Sequence, residues 1–149
     1  MSTVIGEPSV RRCTWIDAKP ERVWEEFESL EAMQSWFGTG HTLVAYEPRV
    51  GAYVETDAGG AELRFVGNVL VYDPPHELTF EQDWVGHGWP VPALITIRLT
   101  ASGAGTLVEL FHHGFERFGS LTEAADIHRG FEGGWTNRQM EALRSRVQG

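Results

Sequence analysis

The stretch Ala93-Leu94-Ile95-Thr96-Ile97-Arg98-Leu99-Thr100-Ala101-Ser102-Gly103-Ala104-Gly105-Thr106-Leu107-Val108-Glu109-Leu110-Phe111-His112-His113-Gly114-Phe115 decides the fold. Ala93 to Thr100 and Thr106 to Phe115 are rich in apolar and β-branched residues, and the turn Ser102-Gly103-Ala104-Gly105 between them makes an antiparallel hairpin. Working backwards, Leu78 to Trp84 ends in a Gly-rich loop and Leu63 to Tyr72 ends at Pro74-Pro75. Before those, Leu43 to Tyr46 and Ala52 to Thr56 flank Pro48 and Gly51. Short strands joined by turns at this spacing predict an antiparallel meander from Thr42 to Phe115.

On either side of the meander the period changes. Val10 to Ile16 reads as a first strand, after which Ala18-Lys19-Pro20-Glu21 opens a helix. Pro20 suits a first turn, the acidic Glu21, Glu25 and Glu26 complement the dipole, and Val23, Trp24 and Phe27 form the apolar stripe. A second short helix is expected from Leu30 to Phe37, stopping at Gly38. Beyond the meander, Ser120 with Glu123 fits a capping box, and Ile127, Phe131, Trp135, Met140, Leu143 and Val147 form a helical stripe. Gly133-Gly134 interrupts that stripe, which predicts a kink or a close approach of the helix backbone to another element. The expected architecture is α+β: one domain over residues 1–149, core about 10–147, with a long C-terminal helix crossing the apolar face of the sheet.

Composition narrows the function. The 149 residues carry 12 Lys+Arg against 21 Asp+Glu, a formal charge of −9, which argues against a nucleic-acid partner. The Arg11-Arg12 pair and Arg138, Arg144 and Arg146 read as solvated surface charge. A lone Cys13 excludes a disulfide framework within the chain. No apolar run approaches the ~20 residues of a membrane helix, so no membrane partner is expected. Met1 to Glu7 lacks a basic and an apolar region, so a cytoplasmic setting is expected. Six Trp and eight Phe are many for this length, and they cluster in ways that suit a core or a pocket wall.

In order along the chain, Ala18-Lys19-Pro20-Glu21-Arg22-Val23-Trp24, Trp36-Phe37-Gly38, Gly67-Asn68-Val69, Asp73-Pro74-Pro75, Leu78-Thr79-Phe80, Gly105-Thr106, His112-His113-Gly114-Phe115 and Gly134-Trp135 resemble one family. It is the activator of heat-shock-protein-90 ATPase homologue family, within the START-like, birch-pollen-allergen-like superfamily called SRPBCC. The resemblance runs from about Val10 to Val147. It implies a helix-grip fold, in which a curved antiparallel sheet wraps the C-terminal helix and leaves an apolar cavity. The chain departs from the family at Gln82, where an aromatic is common, at Phe111, where a small or polar residue is common, and in the extra aromatic of the loop Val85 to Pro90.

The candidate cavity lining is Trp36, Phe37, Val69, Phe80, Gln82, Trp84, Ile97, Leu110, His112, Phe131 and Trp135. With Val108 and Leu110 on the inward face, as the family alignment favours, His112 ends an apolar stripe as a ligand contact or general base; a structural His bonded to backbone is the competing reading. Gln82 would be a polar group among apolar neighbours, bonded to His112, to water or to a ligand. Adjacent His112 and His113 point to opposite faces of a strand, and neither H-E-x-x-H nor a Cys/His cluster occurs, so no metal and no cofactor is expected. There is no G-x-S-x-G, and Cys13 lacks a basic setting, so no hydrolase triad is expected. Gly59-Gly60 and Gly103-Ala104-Gly105 are hairpin turns rather than phosphate loops.

These readings lead to binding of a small, largely apolar molecule between sheet and C-terminal helix, with a homodimer as a possible assembly. The alternatives are a metal-free enzyme of the polyketide cyclase, aromatase or dehydratase type, with His112 as its only catalytic candidate, and a protein that stimulates a chaperone ATPase.

Overall fold

In the computed structural model, which describes residues 3–38, 41–59, 63–118, 128–129, 131–132 and 135–149, the strands are β1 (Val10–Ile16), β2 (Thr42–Ala45), β3 (Tyr53–Asp57), β4 (Arg64–Asp73), β5 (Glu77–Trp84), β6 (Ala93–Ser102) and β7 (Gly105–His113). All neighbours are antiparallel in one sheet ordered β1-β7-β6-β5-β4-β3-β2. The meander is therefore continuous, and β1 closes on β7. Register shifts between Leu43 and Ala45 and between Val69 and Val71 help curl the sheet into a half-barrel. Gly67 adds to the bend: a Cβ there would lie 2.2 Å from the carbonyl oxygen of Glu81.

Helix α1 (Pro20–Trp24) continues into a 3-10 turn (Glu25–Phe27), and α2 (Leu30–Trp36) follows with Ser29 as its N-cap, accepting from Ala32 N–H at 3.0 Å. Trp24 stacks on Phe27 at 4.7 Å and donates its indole N–H to Tyr72 at 3.1 Å. The carbonyls that end this segment are taken by buried side chains. Trp36 donates to Glu26 O at 3.0 Å and Tyr46 to Phe27 O at 2.6 Å. Burying rings of this size contributes about 4–6 kcal/mol each by area.

The C-terminal stripe does not run as one helix. His128, Arg129, Phe131 and Glu132 are helical, Trp135 and Thr136 are not, and the regular helix α3 spans Arg138–Gln148. The capping box at Ser120 and Glu123 and the pair Gly133-Gly134 lie outside the described residues. Met140 and Leu143 carry the buried face of α3 into the core that also holds Ile97, Val108 and Leu110. Arg12 is not a free surface charge: it donates to the carbonyls of Glu132 at 3.1 Å and Trp135 at 2.9 Å, fixing the interrupted segment to β1. Arg146 likewise pairs with buried Glu26 at 2.6 Å, beside Arg22 at 3.0 Å.

The outer face of the sheet carries a buried polar line under the N-terminal segment. Thr3 and Thr79 donate to Glu77 at 2.6 and 3.0 Å, Arg98 pairs with Glu77 at 3.0 Å, and Thr79, Thr96 and His113 follow at 3.0 and 2.8 Å. Gly6 N–H reaches His113 Nδ1 at 3.4 Å, so Nε2–H is the donor to Thr96. Burial pushes Glu77 upward, but the bonds from Thr3 and Arg98 outweigh it and hold it below its ordinary value.

Candidate functional site

His112 stands at the inward end of β7, following Val108 and Leu110, with all three fully buried. His113 points to the opposite face, so the two rings cannot share an ion. At Gly114 the backbone takes φ 90°, open to glycine, and turns the chain so that Phe115 packs 4.9 Å from the His112 ring. Phe131 lies 4.4 Å from His112 on another side and stacks on Phe115 at 5.7 Å.

The protonation of His112 follows from its neighbours. Trp135 donates its indole N–H to Nδ1 at 3.0 Å, so in the neutral ring the hydrogen sits on Nε2. Burial pushes its pKa down to about 3, with His113 adding to the effect. The ring is therefore a neutral donor throughout the ordinary pH range. Among the described residues Nε2 has no hydrogen-bond partner, and neither does Oε1 of Gln139, which is 6% exposed at the start of α3.

Both residues line a cavity of about 200 Å³. Its apolar wall is Phe37, Ala58, Phe65, Phe131 and Trp135, and Thr56 and Gln82 add a hydroxyl and a carboxamide. His41 and Arg138 complete the described lining. The volume lies below the roughly 300–1,000 Å³ usual for drug-sized ligands, so it suits a small molecule. A larger groove of about 820 Å³ lies at the other end of β7, between α1 and the Gly103–Gly105 turn. It is lined by charges of both signs, including Lys19, Glu21, Asp73 and Arg98, and by neither of the unpartnered atoms. The smaller cavity is thus the chemically poised one.

Of the residues expected to line a cavity, Phe37, Gln82, His112, Phe131 and Trp135 do come together here. Trp36, Val69, Phe80, Ile97 and Leu110 lie in the packed core instead, with Phe80 edge-on to Phe37 at 5.6 Å. Trp84 sits beside the cavity in an aromatic wing, 5.6 Å from Phe65, 6.2 Å from Phe131 and stacked on His87 at 3.6 Å. His41, Thr56, Ala58, Phe65 and Gln139 line it without a signal that singles them out in the sequence, and Arg138, expected as solvated surface charge, stands at the cavity as well. The alternation Val54, Thr56 in β3 is the nearest to one; Gln139, beside Met140 at the start of a helix, gives none. Among the described residues no group of three or more His, Cys, Asp and Glu side chains converges as a metal site. Nor is any described helix long and apolar enough to cross a membrane.

Comparison with known proteins adds the following. Residues 17–148 match the family described as activator of Hsp90 ATPase homolog 1-like protein. No curated protein matches the sequence. Among solved structures, a protein from Mesorhizobium loti superposes with a TM-score of 0.72 at 20% identity, covering 94% of this chain and 96% of that one. The Aha1 dimer from Colwellia psychrerythraea gives a TM-score of 0.68 at 14% identity, covering 93% and 95%. DynU16, a protein in the dynemicin biosynthetic locus, gives 0.68 at 20% identity, covering 96% of this chain and 48% of that one. Identities this low carry the fold and no more.

Proposed function

The chain belongs to the activator of Hsp90 ATPase homolog 1-like family, of helix-grip fold, and we propose that it binds a small, largely apolar molecule in the cavity between sheet and α3. One observation carries this reading: His112 Nε2–H and Gln139 Oε1, both buried and both without a partner among the described residues, line the same cavity with apolar walls. Leaving such atoms unpaired costs on the order of 1–3 kcal/mol each, which a ligand offering one acceptor and one donor would recover. The aromatic wall supplies affinity, and the two polar atoms supply orientation.

The same geometry weighs against the cyclase-type enzyme. A general base needs a free lone pair aimed at substrate, whereas His112 spends its lone pair on Trp135 and offers a hydrogen. His112 is thus a binding contact in this proposal. Self-association is a second part of it, supported by the dimeric relative and tested by sedimentation velocity.

The decisive experiment screens flat aromatic ketones and amides by thermal shift and Trp fluorescence, on the wild type and on His112→Phe checked for folding. A hit should weaken roughly tenfold or more in the variant, the worth of one buried hydrogen bond near 1.5 kcal/mol. If no member of a broad panel moves either signal in the wild type, the binding function is wrong.

A further inference from the structure

The charge of the ligand can be read from the rim of the cavity, granted that the cavity binds a ligand at all. Arg11, Arg12, Arg22, Arg64, Arg98 and Arg146 each pair with a glutamate. The guanidinium of Arg138, like those of Arg117 and Arg144, has no carboxylate partner among the described residues, although acids outnumber bases 21 to 12 in this chain, and of these three only Arg138 lines the cavity. Arg138 lines the cavity, and no carboxylate does so among the described lining residues. An arginine left unpaired in an acidic protein, on a rim free of acids, holds positive potential where a ligand would enter.

Two further features point the same way. Arg138 is the first residue of α3, an eleven-residue helix; Thr136 Oγ1 accepts from its backbone N–H at 3.2 Å, while the N-cap Asn137 makes no side-chain cap bond, which leaves the positive end of the helix dipole only partly offset. The next residue, Gln139, is the one whose buried carboxamide oxygen is unpartnered, and its amide can turn over to offer N–H instead. His41, close to Arg138 on the rim, is held neutral by burial and then by that guanidinium, so it contributes a polar ring without charge.

We infer that the ligand is a small, largely apolar acid bound as its carboxylate, with the anionic group on Arg138 and the turned amide of Gln139 at the start of α3, the apolar body against Phe131 and Trp135, and an acceptor for His112 Nε2–H. Guanidinium and carboxylate match as a two-bond fork, which also fixes the ligand's direction of entry.

The test compares 2-naphthoate with its neutral isostere 2-naphthamide by fluorescence titration and calorimetry at low and high salt. Three proteins serve: the wild type, Arg138→Gln, and Arg144→Gln on the outer, exposed side of the same helix. The wild type should prefer the carboxylate by at least tenfold, with the preference reduced by salt. Arg144→Gln should keep that preference and Arg138→Gln should lose it. Equal affinity of acid and amide in the wild type would overturn the inference while leaving the cavity's binding role intact. A preference that survived in Arg138→Gln would overturn the assignment to that residue. Failure of both probes to bind the wild type would remove the cavity reading and the inference together.

Discussion

With Nδ1 taken by the indole of Trp135, His112 presents Nε2–H to the cavity, and burial keeps the ring neutral far below the usual imidazole range. His113, on the other face, is also pushed down by burial, to about 4. In the unfolded chain both titrate near 6.5. Above that pH both states are neutral and the full stability is present. As the pH falls below it, the unfolded chain takes up protons that the fold refuses, so stability declines until the folded values of about 4 and about 3 are passed. Urea melts between pH 6.5 and 5, above the carboxylate range, should show a loss on the order of 1 kcal/mol per pH unit for each ring. His112→Phe should flatten that slope without abolishing it, because His113 and His41, whose pKa burial also lowers, share it; an unchanged slope would mean that His112 is not buried. A second expectation concerns Trp24, 3% exposed, stacked and hydrogen-bonded: Trp24→Ala should cost about 3–5 kcal/mol in a denaturant melt.

Among the elements, α3 is tied to the α1 segment through Glu26. Burial raises the pKa of this carboxyl, but the bonds from Arg146 and Arg22 outweigh it and leave the value lowered. Glu26→Gln should cost about 1–2 kcal/mol at neutral pH, discounted because both guanidiniums are partly in water. Its contribution is present above the unfolded carboxylate pKa and is lost as pH falls through the folded value, so wild type and variant should converge in acid. In the sheet, Gly67→Ala forces a methyl onto the Glu81 carbonyl and should cost about 1–3 kcal/mol while disturbing the neighbouring Gln82 position, readable as altered probe affinity. The strands and the two short helices were legible because alternation, turn residues and Pro20 act locally. The interruption at Trp135 was less so: Phe131, Trp135 and Met140 keep a helical spacing across it, and only Gly133-Gly134 signalled a disturbance.

For the whole molecule, a ligand present at a hundred times its dissociation constant should add about 2.7 kcal/mol, a rise of roughly 5–10 °C in melting temperature for a domain of this size. Scanning calorimetry with a screened ligand checks this; a change in Trp fluorescence without a thermal shift would place the ligand elsewhere. Long-range polar pairing is what the sequence concealed. Thr79, Thr96 and His113 sit at ordinary alternating strand positions, and nothing local reveals that Glu77 and Thr3 complete their network across the sheet. Arg12 and Arg146 look like surface charges until the fold brings a carbonyl or a buried acid to each.

The wall of the cavity is unevenly sourced. Phe131, Trp135, Arg138 and Gln139 supply four of its eleven described lining residues from one short stretch, anchored to β1 by Arg12, while four strands supply one residue each and Phe37, His41 and Ala58 come from the end of α2 and the segments beside β2 and β3. Such a stretch is a cassette. Exchanging it for the corresponding segment of a relative, with Arg12 retained as the latch, would redraw ligand preference while leaving the ladder of strands untouched, so specificity in this scaffold can diversify faster than its architecture.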